Sequence, residues 1–140
     1  MKTCTHFLAV LAAAGTLTAG HTLAAPLTAT TVEILAMPHP PVKMALAPLR
    51  DWLAAQGTKL KVVETDVESP QGEKRLAAVG LGGHVPIVIL IDGQYRHKRK
   101  DGATQEFVNF PDIAGAPSGV RGKWTTADVQ VLLTERMKRP

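Results

Sequence analysis

The 140-residue chain contains a single cysteine, Cys4, near its start. Beyond Cys4 no disulfide can form within the chain, and no thiolate is on hand as nucleophile or metal ligand. No long apolar run is present. The stretch from Phe7 through Ala14 is too short, and too soon interrupted by Gly15 and Thr16, for a transmembrane helix. Repeats, heptads and low-complexity blocks are absent. So are a Ser-His-Asp order, a paired-carboxylate motif, a zinc motif and a phosphate loop. Gly80-Leu81-Gly82-Gly83 lacks the Lys-Ser/Thr ending of a phosphate cradle and precedes a strand, so it reads as a connecting turn.

The N-terminus carries Lys2, the apolar run, and then Thr22-Leu23-Ala24, a small-x-small site. This pattern predicts a signal peptide over 1–24 and a single domain over 25–140. A cut after Ala25 is less attractive because Pro26 follows directly. An uncleaved anchor is the alternative. Cleavage after Ala24 also removes Cys4 and leaves a cysteine-free domain in the periplasm or outside the cell. Small exported domains often rely on disulfides, whereas one of this size can build its own core.

The formal net charge is +4, of which Lys2 contributes one. The excess is concentrated in Arg96-His97-Lys98-Arg99-Lys100. A local patch on an exported domain argues against a nucleic-acid partner. The run reads either as a solvated edge strand protected by charge or as a docking surface for an acidic protein or anionic membrane. Without interleaved aromatics, the solvated strand is favoured. Membrane contact is not expected once the signal is removed.

Periodicity then gives the elements. Val32-Glu33-Ile34-Leu35 reads as a short strand. Val42, Ala45, Leu46, Leu49, Trp52 and Leu53 recur at helical spacing, with Pro41 suited to the first turn and Gly57 as a stop. Pro48 falls inside this pattern and predicts a kink. Leu60 to Glu64 forms a second strand. Ser69 and Pro70 cap a short helix reaching Val79. Ile87 to Ile91 is apolar on both faces, as for a strand in the middle of a sheet. Asp92-Gly93 signals a hairpin whose return strand carries Tyr95 and the basic run. Asp101-Gly102 marks another turn, and Phe107-Val108-Asn109-Phe110 an edge strand. After a Gly/Pro-rich loop, Thr125 and Asp128 have capping-box spacing before a last helix with Val129, Leu132, Leu133 and Met137 inward.

The order βαβα then ββα, with parallel strands joined by a helix and a hairpin added to the same sheet, predicts an α/β fold with a mixed central sheet flanked by helices. Three local matches point the same way. His39-Pro40-Pro41-Val42-Lys43-Met44 resembles the thioredoxin Cys-Gly-Pro-Cys-Lys-Met segment, with His39 and Val42 at the two cysteine positions. Pro48 lies within one residue of that family's helix-kinking proline. Val85-Pro86 before the apolar strand resembles its cis-proline.

The chain thus resembles the thioredoxin-like family with a degenerate active-site motif. The resemblance implies that His84, Val85 and Pro86 lie near His39. Disulfide exchange does not carry over, because it needs a thiolate. The expected function is a non-redox binding or accessory module. A protein or peptide partner would lie across a surface made by His39, Pro40, Pro41, Val42, His84, Val85 and Pro86. The alternative is a periplasmic Cu(I)-binding accessory protein using Met37, His39, Met44 and His84, since thioethers and imidazoles suit Cu(I). Against it, the resemblance makes Met44 a core residue beneath the loop. An enzyme with His39 as general base is a third reading, without a visible partner for that base.

Overall fold

The computed structural model describes residues 29–138. The expected signal segment and its cleavage site lie outside these residues. The elements are β1 (Thr30–Ala36), α1 (Pro40–Ala55), β2 (Leu60–Asp66), α2 (Pro70–Ala78), β3 (Ile87–Ile91), β4 (Arg96–Lys98), β5 (Thr104–Glu106) and α3 (Thr126–Met137). No described helix is long and apolar enough to cross a membrane.

The principal sheet is three-stranded, in the order β2-β1-β3. β1 runs parallel to β2, pairing Val32 with Val62, and antiparallel to β3, pairing Val32 with Ile91. The fold is therefore α/β with a mixed sheet. Its central strand is β1, not β3 as the apolar run suggested. All five residues of β3 are nonetheless buried. The reason is that the chain at 107–109 covers its outer edge: Ile89 N–H donates to the Phe107 carbonyl (3.0 Å) and Asn109 N–H to the Ile87 carbonyl (2.8 Å). In place of the expected edge strand the segment makes isolated bridges, Val88 to Val108 and Phe110 to Arg121.

The hairpin also differs from expectation. Asp92 and Gly93 both adopt positive φ (50° and 79°), as a tight hairpin turn demands. Beyond Gln94, however, the chain leaves the principal sheet. β4 pairs antiparallel with β5, Arg96 opposite Glu106, as a separate two-stranded sheet. In each of these three-residue strands only the middle residue, His97 or Gln105, is buried.

Helix starts follow their sequence signals. Pro40 and Pro41 occupy the first turn of α1, where a missing N–H costs nothing. Ser69 Oγ accepts from Gly72 N–H (3.1 Å). Thr125 and Asp128 complete a reciprocal capping box. α1 buries Val42, Ala45, Leu46, Leu49 and Leu53, and Pro48 stands inside it. The proline leaves the Met44 carbonyl without its helical donor, at a turn exposed to solvent. α1 covers the sheet face carrying Ile34, Leu60 and Val62, and α3 packs beside it. α2 lies on the opposite face, where Arg75 forks onto both carboxylate oxygens of Glu33 (2.8 and 2.6 Å).

A buried histidine joins the hairpin to α3. His97 Nε2 lies 2.9 Å from the Gln94 carbonyl, and its Nδ1 faces the Arg136 guanidinium at 3.4 Å. A carbonyl only accepts and a guanidinium only donates, so the partners assign the proton to Nε2 of a neutral ring. Burial is the main cause that pushes the His97 pKa below its ordinary value; the Gln94 carbonyl opposes, Arg136 adds to the lowering, and Asp92 opposes. Lowered in the fold, His97 takes up a proton more readily in the unfolded chain. Its contribution to stability is therefore complete above the ordinary histidine pKa of about 6.5 and declines as pH falls below it. Urea unfolding is expected to show stability falling on acidification through this window, with a shallower fall in His97→Gln. Equal pH slopes for parent and variant would refute the role of His97.

Candidate functional site

The parallel register of β1 and β2 decides what meets at the site. Ala36 pairs with Asp66, and Val67 N–H donates to the Ala36 carbonyl (3.3 Å). The segments leaving the two strands therefore run side by side. One carries Met37 to His39, the other Val67 to Ser69. His39 is the N-cap of α1 with extended backbone, but its side chain makes no cap bond. Instead its Nε2 lies 3.2 Å from Glu68 Oε2, both side chains about half-exposed.

The third wall comes from the loop before β3. Gly83 has φ +79°, and Val85 N–H donates to the Gly83 carbonyl (3.1 Å). The Pro86 carbonyl accepts from Met37 N–H (3.0 Å), which fastens this loop to the end of β1. None of the described peptide bonds is cis, so the expected cis-proline at Pro86 is corrected to trans. The reversal is made at Gly83, and a trans X–Pro bond is favoured by about 0.5–1 kcal/mol when no tighter turn is needed.

These segments and α2 enclose a groove of about 590 Å³. Met37, Val67, Leu76, Leu81 and Val85 give it apolar walls, while Glu68, Glu73 and His84 supply polar groups. Of the residues expected at the site, Met37, His84 and Val85 line the groove, and His39 reaches it through Glu68. Pro86 is buried behind it. Pro40 and Pro41 are exposed on the first turn of α1, and Val42 is turned into the core with 1% exposure. Met44 is not a core residue: its side chain is 71% exposed, and it does not line the groove. At helical spacing it falls between the inward positions Val42, Ala45 and Leu46, which α1 buries.

Sequence reasoning missed Glu68, Glu73, Val67 and Leu76. No motif marks them. The available signal was indirect, because two parallel strands with similar exits place the residues after each side by side. Among the described residues no group of three or more His, Cys, Asp or Glu is gathered to hold a metal ion.

The basic run lies elsewhere, and much of its charge is answered locally. Arg96 pairs with Glu106 (2.7 Å), Arg99 with Asp101 (3.3 Å) and Lys100 with Glu135 (2.7 Å). Arg96 also stacks over the Tyr95 ring at 5.0 Å. Such exposed pairs add little stability, but they cancel much of the field a docking surface would project. A groove of about 550 Å³ between this hairpin and α3 includes both cations and carboxylates: Lys98, Arg99, Lys100, Asp101, Asp128 and Glu135.

Comparison with protein-family models, with curated proteins and with solved structures finds no match to the chain.

Proposed function

We propose that the protein is a non-redox binding module of thioredoxin-like type, acting outside the cytoplasm, that takes an extended peptide segment of a partner protein in the groove beside His39. One observation carries the reading. The loop-and-helix start where a thioredoxin holds its cysteines carries His39 and Val42, and beside it lies a 590 Å³ apolar-walled groove. That volume falls in the range of about 300–1,000 Å³ that ligand sites use. The strand order β2-β1-β3, with β1 parallel to β2 and antiparallel to β3, supports the family resemblance. The absence of cysteine after Cys4 removes disulfide exchange.

Selection from a displayed library of random short peptides tests this. Binders are expected whose affinity disappears in Val85→Arg, which fills the groove from a half-buried position. The same protein is expected to give no insulin reduction. A selection that returns no peptide sensitive to Val85→Arg, or turnover that survives removal of contaminating oxidoreductases, overturns the proposal.

A second reading has a specific observation in its favour. Met37 and His84 line one groove, and Glu68 in its wall touches His39. A thioether and two imidazoles there suit Cu(I) over Zn(II), without Met44. Competition with a Cu(I) chelator is expected to show binding that is mostly lost in His39→Ala, His84→Ala. Parent-like affinity in that double variant removes this reading.

A further inference from the structure

We infer that the partner segment is cationic: an apolar side chain seated in the groove, flanked by lysine or arginine. The inference rests on the binding-module reading and adds the chemistry of the partner. The chain has a formal net charge of +4, yet among the described residues no lysine or arginine lines this groove. Its charged wall groups are two carboxylates, Glu68 and Glu73. Two other grooves among the described residues differ. The one beside α3 carries Lys98, Arg99 and Lys100, and the one between α1 and β2 carries Arg50.

The two carboxylates are also differently committed. Glu68 turns Oε2 toward His39 at 3.2 Å. Glu73 stands in the first turn of α2, exposed, with no ion pair among the described residues. The floor between them is apolar and closed, Met37, Val67 and Leu76 each being 5% exposed. An apolar anchor would therefore be held by burial. A neighbouring cation would meet Glu73 at the rim without first displacing an intramolecular partner. An acidic segment would face two carboxylates and, among the described residues, no lysine or arginine, an arrangement that selects against it.

The test uses the same displayed peptide library, scored for charge. Among binders lost in Val85→Arg, lysine and arginine are expected to be enriched beside an apolar residue. Their affinity is expected to fall about three- to fivefold in Glu73→Gln, the range of one exposed ion pair. It should fall further in Glu73→Lys and weaken as salt is raised. Selection on Glu68→Lys, Glu73→Lys is expected to shift toward Asp and Glu. Circular dichroism checks that the lysine variants fold. If they do not, Glu73→Gln and the salt dependence decide. Groove-dependent binders with neutral or acidic flanks, indifferent to Glu73 and to salt, overturn the charge inference and leave the binding module standing. No groove-dependent binder at all removes both.

Discussion

Gly72→Ala is expected to destabilise the protein by about 3 kcal/mol or more, the upper range for overpacking a rigid contact. Gly72 is buried in the first turn of α2, where the helix lies on the chain leaving β2. A Cβ there would sit 2.6 Å from Val67 Cα and closer still to the Asp66 carbonyl oxygen. Both neighbours are backbone, so neither can rotate away. Asp66 and Val67 are also held in place, one accepting from Ser69 Oγ (2.6 Å), the other donating to Ala36. Relief requires α2 to lift from the sheet, which takes Leu76 and Glu73 away from the groove. The melting temperature is therefore expected to fall on the order of 10 °C or more. A variant melting within about 2 °C of the parent would show that the helix adjusts freely.

Trp124→Ala is expected to cost about 3–5 kcal/mol, as for truncation of a fully buried tryptophan. Trp124 is 1% exposed and meets Phe107 edge-on, with ring centroids 5.8 Å apart. Its Nε1–H donates to the Val108 carbonyl (3.0 Å). Truncation opens a cavity beneath the segment that covers β3 and leaves that carbonyl without its donor, a further penalty of about 1–3 kcal/mol if water cannot enter. Since domains of this kind are stable by only about 5–15 kcal/mol, most of the folded population is at risk. Trp124→Phe restores part of the volume but not the hydrogen bond, and should fall between parent and alanine. Urea unfolding checks the series. A loss below about 1 kcal/mol for Trp124→Ala would mean that the loop carrying it is peripheral to the core.

Both residues show how unevenly the structure was written in the sequence. Local chemistry was legible. The α1 stripe from Val42 to Leu53, the Ser69 cap and the Thr125–Asp128 capping box are settled within a few residues, by periodicity and by donors that need acceptors. The burial of Ile87 to Ile91 was legible too, because a strand apolar on both faces cannot face water on either. The candidate groove was legible only in part. His39, His84 and Val85 were identified from a resemblance in the loops. Glu68 and Glu73, which give the groove its charge, carry no motif.

What the sequence by itself determined is the order of the elements, most of their caps, and the absence of thiol chemistry beyond Cys4. Each follows from residue type or short-range spacing. Only the tertiary structure decided that β1 is the central strand, that β4 leaves the sheet for β5, that Val85–Pro86 is trans, and that Met44 faces solvent. It also decided that His39 meets Glu68. These depend on which distant segments compete for the same edge or cavity, and strand register and packing settle that competition. Two β-strand exits became one groove because Ala36 and Asp66 stand side by side, a pairing between residues far apart in the chain.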